Sequence, residues 1–412
     1  MKKKFSKSID RCQISKSKNL QSLIFLGYLP PVNTLKKIGS KPEEEISFPA
    51  ELLYCKKSKL VQIGCVVNKE ILFPYSYPYT SSTTKILREN FQDLYKDTKK
   101  IIKLNKNDLI IDIGSNDGNL LSNFKVNHRV LGITPEKIGN IAIKKGIPTI
   151  IKYFNKKTST IVLKKFGKAR VITATNVFAH IDNINNIVSL IKKTLTSDGV
   201  FISESHYLMT LLKTVQYDTI YHEHLRYYSL QSLKYLFNLH NLEIIHVKEI
   251  PTHGGSIRVY VARKGYYKIS KNVKKQLNKE NRYLNWKNFN KFKQNVVSSK
   301  INLFNIIKKI KDKNKVIYGV GAPSRASTLI NYLGLEQNII DCVLEVKGSY
   351  KIGNYIPGTK IPILNENIIK KKQPDYLILF SWHIKKELKK NLKKKGFKGK
   401  FIIPLPYPKI ER

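Results

Sequence analysis

The pattern of hydrophobic and polar positions changes three times along the chain. Residues 1–85 contain short apolar pieces separated by prolines, which predicts a small irregular unit. From about residue 86, short apolar runs alternate with amphipathic segments, and this predicts a doubly wound parallel sheet. The predicted strands are 109–113, 129–133, 171–174, 199–203, 242–247 and the closing strand 256–262, with helical segments at 86–104, 184–195 and from residue 119.

A second pattern of the same kind follows a polar stretch. Residues 268–313 are rich in Lys and Asn but carry apolar residues at helical spacing, which predicts long linking helices. The predicted strands after them are 315–318, 339–344, 376–379 and 401–403. We therefore expect an α/β chain of three domains, 1–85, 86–265 and 266–412, the last formed by the linker and a Rossmann-like unit.

Composition is that of a folded protein, with one unusual property. Hydrophobic residues make up 42% and charged residues 25%, and four unclustered cysteines exclude a disulfide framework. The net charge is +46, and 65 of the 75 basic residues are Lys, spread through the whole chain. This indicates a compositional bias on solvated surfaces, with attraction to polyanions or anionic substrates as the alternative. Dedicated nucleic-acid readers favour Arg, so we expect no specific nucleic-acid partner.

No apolar run reaches the roughly 18 residues that span a bilayer. The Lys-rich start is not followed by a secretory signal with a cleavage site. We therefore expect a cytoplasmic protein with no membrane association, and the oligomeric state stays open.

The first strand of the central unit runs into an acidic residue and a glycine turn. The turn carries Asp112, Gly114, Asn116, Asp117 and Gly118 directly before a predicted helix, whose N-terminus offers unpaired amides. Its glycines would allow close approach of a ligand. The third glycine of dinucleotide sites is missing, which favours S-adenosylmethionine, and a tight turn without a ligand is the alternative.

Residues 217–228 contain two imidazoles, two carboxylates and four phenols within twelve positions. A carboxylate beside an imidazole raises its basicity, so Glu223 and His224 form a candidate base. A phenol such as Tyr221 can donate to a developing oxyanion, and His222 is a candidate substrate contact. A polar cluster at a domain edge is the alternative interpretation.

Two further loops carry candidate substrate contacts. His253, Gly254, Ser256 and Arg258 belong to a glycine loop that leads into the closing strand. The strand-to-helix turn at 318–322 is followed by Arg325, which would act as a charged clamp on a phosphate; a plain turn is almost as well supported.

Two short motifs near the N-terminus resemble half-lost zinc knuckles. Cys12 is followed three residues later by Ser15, and Cys55 by Ser58. Two Cys-x-x-Cys turns at this separation would form a zinc site, but serine is a poor zinc ligand. We therefore expect no bound metal.

Together these blocks resemble the three-domain sugar C-methyltransferases, which methylate nucleotide-linked keto-deoxyhexoses with S-adenosylmethionine. The resemblance covers nearly the whole chain and is carried by residues 217–228, 253–256, 319–331 and 355–359. It implies a class I methyltransferase domain between a degenerate zinc-knuckle domain and a Rossmann-like C-terminal domain. It also implies that Asn176 lies near the adenine end of the cofactor.

The resemblance further implies a reaction through an enolate. A ketone at carbon 4 acidifies the hydrogen on carbon 3, which Glu223 and His224 would remove. Tyr221 and Tyr79 would stabilise the enolate oxygen, Tyr77 would contact the substrate, and the enolate carbon would attack the methyl group. The C-terminal domain would help to hold the nucleotide diphosphate.

The sequence also departs from the family pattern. Thr134 stands where an acidic residue for the ribose hydroxyls is expected, although Glu136 follows two positions later. Residues 204–206 replace a stretch that is usually apolar or proline-containing. Thr134 and the lost thiols motivate an alternative, an inactive homologue that binds a nucleotide sugar or a partner protein, but the intact block 221–224 argues against it.

Overall fold

The N-terminal segment forms antiparallel β-structure in the computed structural model, which describes residues 5–72 and 85–412. Strand Phe48–Cys55 alternates between buried and half-buried positions, as expected for a sheet with one face on a core. It pairs with a strand on each side. The elements are β1 (Ser6–Ser8), β2 (Leu20–Leu29), β3 (Phe48–Cys55), β4 (Leu60–Ile63), β5 (Cys65–Val67) and the short helix α1 (Lys69–Leu72).

The central segment alternates strands and helices as predicted. The predicted strands 109–113 and 129–133 are confirmed, and the others extend by a few residues at one or both ends. The elements are α2 (Lys85–Ile101), β6 (Leu109–Ile113), α3 (Asn119–Phe124), β7 (Arg129–Ile133), α4 (Gly139–Lys144), β8 (Thr149–Ile150), α5 (Lys156–Lys165), β9 (Ala169–Thr175), α6 (Ile184–Thr194), β10 (Leu195–His206), α7 (Leu208–Lys213), β11 (Arg226–Tyr227), α8 (Leu230–Asn238), β12 (Leu242–Ile250) and β13 (Ser256–Arg263).

Seven of these strands form one sheet in the order β12-β13-β10-β9-β6-β7-β8. β13 runs antiparallel to both of its neighbours, and the strands from β10 to β8 are parallel. The chain leaves β6 for β7 and β8 on one side and continues to β9 on the other. Such a reversal opens a crevice at the carboxyl ends of β6 and β9, where α/β proteins bind their ligands.

The C-terminal segment contains the two predicted linking helices and a second sheet. The sheet order is β16-β15-β14-β17-β18-β19, parallel except for β19. The elements are α9 (Lys271–Tyr283), α10 (Trp286–Lys311), β14 (Ile317–Val320), α11 (Ser324–Leu333), β15 (Val343–Glu345), β16 (Ile363–Asn365), β17 (Tyr376–Leu379), α12 (Lys385–Lys394), β18 (Lys400–Ile403) and β19 (Lys409–Glu411). β14 begins two residues later than predicted.

The N-terminal and C-terminal segments share one apolar core. It joins side chains of β2, β3 and β4 to α7, α10, α11 and the C-terminal sheet, while two further cores cover the faces of the seven-stranded sheet. The short strand β11 of the central segment also pairs with β4. The domain limits predicted at residues 85 and 265 stay a prediction. No helix of the described ranges is long and apolar enough to cross a membrane.

Gly118 is required by packing within the protein. Its φ is +78°, and a Cβ there would lie 2.9 Å from Ala142 Cβ and 2.7 Å from Ile147 Cδ1. This glycine lets α3 begin against α4, and its part in ligand approach stays a prediction.

We expect Gly118→Val to lower the free energy of unfolding by about 2–5 kcal/mol, since it combines backbone strain with overpacking. Gly265→Val is the matched control, because Gly265 has φ +80° but a Cβ at that position would meet no atom within 4 Å. Denaturant unfolding of both variants separates strain from overpacking. An equal loss of unfolding free energy in the two variants would contradict the packing explanation.

Candidate active site

Three polar residues lie at neighbouring carboxyl ends of the seven-stranded sheet. Asp112 is the last residue but one of β6, Thr134 follows β7, and Asn176 follows β9. Asp112 is buried and accepts a hydrogen bond from Thr173 Oγ1 at 2.6 Å. Its burial raises the pKa of the carboxyl to about 7, despite that hydrogen bond. The structure thus brings the predicted cofactor residues to one edge.

The side chain of Glu136 lies beside Thr134 at the end of β7. Thr134 Oγ1 donates to Glu136 Oε2 at 2.9 Å, which holds the carboxylate at the end of β7. Burial raises the pKa of Glu136, and the hydrogen bond opposes this shift. Sequence reasoning did not assign Glu136 a role. Its place two residues after Thr134, the position where the family pattern has an acidic residue, could have indicated one.

The glycine turn after β6 is held by contacts within the protein. Gly114 has φ +79°, and a Cβ there would lie 2.2 Å from Val177 Cγ2, so no other residue fits against the end of β9. Asn116 also has a positive φ, of 50°. The carboxylate of Asp117 is buried and lies 3.3 Å from Lys145 Nζ. This ion pair fixes the turn.

Four imidazoles meet beside this edge and form what we call the histidine cluster: His180, His206, His224 and His253. The ring centroids of His180 and His206 each lie 5.0 Å from that of His224, and His206 lies 5.6 Å from His253. Sequence analysis proposed roles for His224 and His253 but none for His180 and His206. His180 lies after β9, and His206 is the last residue of β10. A histidine at the carboxyl end of a predicted strand was the sequence feature that could have indicated both.

His224 presents a free basic nitrogen. Its Nδ1 lies 2.8 Å from Thr219 O, and because a carbonyl can only accept, Nδ1 carries the hydrogen. Nε2 has no hydrogen-bond partner in the described part of the chain. Burial, followed by the charge of nearby His180, holds the pKa of His224 well below its usual value, so the ring is neutral at pH 7. The ring of Tyr221 lies 4.2 Å away.

Glu223 does not support His224 as predicted. Its Oε1 accepts a hydrogen bond from Asn33 Nδ2 at 2.5 Å, and the nearby charge is that of Lys351. Burial raises the pKa of Glu223 to about 7. The expectation that this carboxylate raises the basicity of His224 is corrected, because the two side chains face different neighbours.

The other predicted substrate contacts lie at three places. His222 donates from Nε2 to Pro49 O at 3.2 Å and packs on Phe48, so it faces β3. Ser256 donates to Thr252 O, and Gly254 O accepts a hydrogen bond from Gln216 Nε2. Tyr77 and Tyr79 fall outside the described residues.

Arg258 is corrected from a substrate contact to an internal ion pair. Its side chain is fully buried, and its Nε donates to Glu204. Nη1 donates to Asp93 and Asp97, and Nη2 donates twice to Asn90. All five donors are used, so none is left for a substrate.

Arg325 is likewise occupied by protein groups. Its Nε lies 3.4 Å from Asp218 Oδ2, Nη1 contacts His383 Nδ1 at 2.9 Å, and Nη2 donates to Gln216 Oε1 at 3.2 Å. Trp382 Nε1 donates to the same carboxylate at 2.8 Å. The predicted phosphate clamp therefore joins the C-terminal sheet to the loops around the histidine cluster.

The two half-lost knuckles come together without a metal-binding ligand set. Cys12 Sγ lies 3.1 Å from Ser58 Oγ, and Cys55 Sγ lies 3.5 Å from Ser15 Oγ. Burial raises the pKa of Cys55, but hydrogen bonds from both serines outweigh it and the pKa is lowered. Two thiols and two hydroxyls do not fit zinc, which requires four good protein ligands.

Comparisons with known proteins agree with this arrangement along the chain. Three family profiles match in succession: "Putative zinc binding domain" at residues 12–73, "Methyltransferase domain" at 86–247 and "C-methyltransferase C-terminal domain" at 251–406. The C-methyltransferase NovU of Streptomyces niveus is 28% identical over 410 residues, which cover 98% of this chain and 97% of that protein. The chain thus matches, in order, the three domains that these C-methyltransferase profiles describe. S-adenosylmethionine is the methyl donor of this enzyme class.

Solved structures show weaker similarity. A magnesium protoporphyrin IX methyltransferase (ChlM) from Synechocystis PCC 6803 is 12% identical, with 43% of this chain and 83% of that chain covered and a TM-score of 0.34. An S-adenosylmethionine-dependent methyltransferase from Clostridium acetobutylicum ATCC 824 is 15% identical, with coverages of 45% and 94% and a TM-score of 0.33. The class I fold of this C-methyltransferase follows from its strand order and the matching profile.

The knuckle geometry predicts the metal content of this C-methyltransferase. We expect no stoichiometric zinc in the purified protein and about one zinc per chain in the double variant Ser15→Cys/Ser58→Cys, because the variant places four thiols where two now lie. Elemental analysis measures both. Zinc in the natural protein that is lost on Cys55→Ser would contradict the prediction.

The buried Glu223 predicts a pH dependence of stability. Because its pKa is raised to about 7, its contribution to stability is present near pH 4.5 and is lost as the pH rises through 7. Between pH 5 and 8, the protein should lose about 2–3 kcal/mol of unfolding free energy relative to Glu223→Gln, at roughly 1.4 kcal/mol per pKa unit. Denaturant unfolding measures the difference, and parallel curves would show that Glu223 does not titrate in this range.

Proposed function

We propose that this C-methyltransferase acts on a nucleotide-linked 4-keto-deoxysugar through an enolate. The observation that carries the proposal is His224, a buried neutral imidazole that bonds through Nδ1 and lines a cavity beside the cofactor edge. A cavity of about 30 Å³ is lined by Asn176, Ala179, His180, Ser205, His206, His224, Arg226 and Tyr227. The full-length similarity to a C-methyltransferase supports the reaction type.

His224 would be the general base. It would take the proton from carbon 3 on Nε2, while Nδ1 keeps its hydrogen on Thr219 O and fixes the ring. The lowered pKa keeps the ring in its basic form at neutral pH. Glu223 would act at a distance, through its hydrogen bond with Asn33 and the nearby charge of Lys351.

Tyr221 would donate a hydrogen bond to the enolate oxygen. Burial, followed by the charge of Glu223, raises the pKa of its phenol well above the usual value, so the phenol stays a donor at every working pH. Tyr79 is a second candidate for this task. Tyr77, His222 and His253 stay candidate substrate contacts.

The edge of the seven-stranded sheet fits the methyl donor. Its ribose hydroxyls would bind the carboxylate of Glu136, its amino group the carboxylate of Asp112, and its adenine would lie near Asn176. Ser115 Oγ and Ser205 Oγ are buried without partners among the described residues and add donors and acceptors at the same edge. When bound, S-adenosylmethionine supplies an electrophilic methyl group to the nucleophilic carbon.

The decisive test uses a panel of thymidine-, uridine- and guanosine-diphosphate-linked 4-keto-6-deoxyhexoses. Incubation with the protein and S-adenosylmethionine, followed by mass spectrometry, should show a gain of one methyl group on at least one sugar. Binding of the donor without methylation of any sugar would favour the inactive homologue.

Substitution of the base should separate binding from chemistry. We expect His224→Asn to bind S-adenosylmethionine normally in calorimetry but to slow methyl transfer by about 10²–10⁴-fold, the usual effect of losing a general base. Tyr221→Phe should slow the same step less. Normal transfer by His224→Asn would move the base to another histidine of the cluster, with His206 as the first candidate.

The role of Glu136 gives a second, independent test. Glu136→Gln should weaken binding of S-adenosylmethionine by about tenfold, since a hydrogen bond to a charged group contributes roughly 1.5–3 kcal/mol. Thr134→Val is the matched control, because it removes the hydroxyl that positions the carboxylate and leaves the charge. Unchanged affinity in both variants would place the ribose elsewhere.

A further inference from the structure

Arg226 lies in the wall of the cavity that contains His224. It belongs to β11, is 2% exposed, and is one of the largest fully buried side chains of the protein. Its Nε donates to Tyr228 OH at 3.0 Å. Its Nη1 donates to Gln13 Oε1 and, at 3.4 Å, to Asp182 O. Its Nη2 is buried and has no hydrogen-bond partner among the described residues.

No carboxylate balances this guanidinium. All three of its acceptors are neutral, and the ion pairs of the described residues do not include it, whereas Arg258 and Arg325 each face at least one carboxylate. Residues 1–4 and 73–84, which lie outside the described ranges, contain no Asp or Glu. Arg226 is therefore a buried cation without a counter-charge from its own chain.

A buried charge without a partner is costly, by several kcal/mol even after relaxation. Nearly all buried polar groups in proteins are hydrogen-bonded, so an unpaired nitrogen of this kind calls for a ligand. The histidines of the same cavity add no negative charge. The cavity therefore favours an anionic group.

The remaining donors select the kind of anion. A carboxylate is gripped by two nitrogens of a guanidinium at once, but Nε and Nη1 are already bound to protein acceptors. Only Nη2 is left, so an anion in this cavity would be bound through one nitrogen. A single charged oxygen can be bound in this way, whereas the paired grip on a carboxylate needs two nitrogens.

We propose that Arg226 binds the enolate oxygen of the substrate, a role that rests on the proposed function. The proton of carbon 3 moves to His224 Nε2. The electron pair of the broken C–H bond forms the double bond between carbons 3 and 4, and the carbonyl π pair moves onto oxygen. That oxygen carries the negative charge and accepts a hydrogen bond from Nη2 of Arg226. Donors held in place where charge develops contribute large parts of enzyme rates.

Gln13 allows the charge of Arg226 to be tested without touching Arg226. Gln13→Glu keeps an acceptor for Nη1 and adds a carboxylate beside it, so the guanidinium gains a counter-charge. Gln13→Met removes the acceptor and leaves the charge. If Arg226 acts only through its hydrogen bonds, Gln13→Met should slow the reaction more than Gln13→Glu. If Arg226 acts through its charge, Gln13→Glu should slow the reaction more than Gln13→Met.

The readout is exchange of the carbon-3 hydrogen with deuterium oxide. It uses the full-length protein, a non-transferring analogue of S-adenosylmethionine, and the panel keto-sugar that the natural protein exchanges fastest. We expect Arg226→Gln to slow exchange by about 10²–10³-fold, as for loss of an oxyanion donor. Gln13→Glu should slow it about tenfold or more, and Gln13→Met should stay within about threefold of the natural protein, because only the first change offsets the charge. Thermal unfolding and calorimetry with the analogue confirm that each variant is folded.

Each outcome has one meaning. Slower exchange in Gln13→Glu than in Gln13→Met supports the enolate role. Equal or faster exchange in Gln13→Glu overturns it, whatever the fate of Arg226→Gln. Absence of exchange by the natural protein on every sugar contradicts the proposed function itself.

Discussion

The arrangement around the histidine cluster depends on one buried ion pair, between Asp218 and Arg325. Asp218 belongs to the short 3-10 helix that follows α7, and Arg325 belongs to α11 of the C-terminal unit. Both side chains are less than a tenth exposed, and Trp382 donates to the same carboxylate. Loss of one member would leave the other charge buried and unpaired, at a cost of about 3–5 kcal/mol. Gln216 extends the contact to Gly254 O, so the loop of His253 is held by the same network.

Burial, more than local charge, determines the protonation states in this site. It raises the pKa of Asp112 and Glu223 to about 7 and lowers that of His253 and His180 to about 4. The histidines are therefore neutral at pH 7, which suits a base that must accept a proton. The two cationic side chains near the cluster differ, since Arg325 has a carboxylate partner and Arg226 has none among the described residues. This difference makes one a structural element and the other a candidate binder of negative charge.

Side-chain hydrogen bonds join the two turns of the N-terminal knuckle. Hydrogen bonds between two thiols and two hydroxyls take the place of metal–ligand bonds, and both cysteines pack in the core that covers the seven-stranded sheet. Gln13, inside the first knuckle turn, bonds to Gln62 of β4 and to Arg226. The knuckle thereby supports the wall of the cavity that contains Arg226.

The sequence by itself determined the order of elements, the fold class and the polar block that contains the proposed base. Apolar runs that alternate with amphipathic segments predicted β6 and β7 to the residue, because strands buried on both faces are continuous apolar runs. Local motifs also located Asp112 and His224.

Only the tertiary structure decided which polar groups are partnered. The sequence predicts free cations at Arg258 and Arg325, but their carboxylates come from segments 54 to 165 residues away, and 107 residues away for Arg325 (325 minus 218). His206 and Arg226 come from two different sheets, His180 follows β9, and only the packing of these sheets brings the three side chains to one cavity.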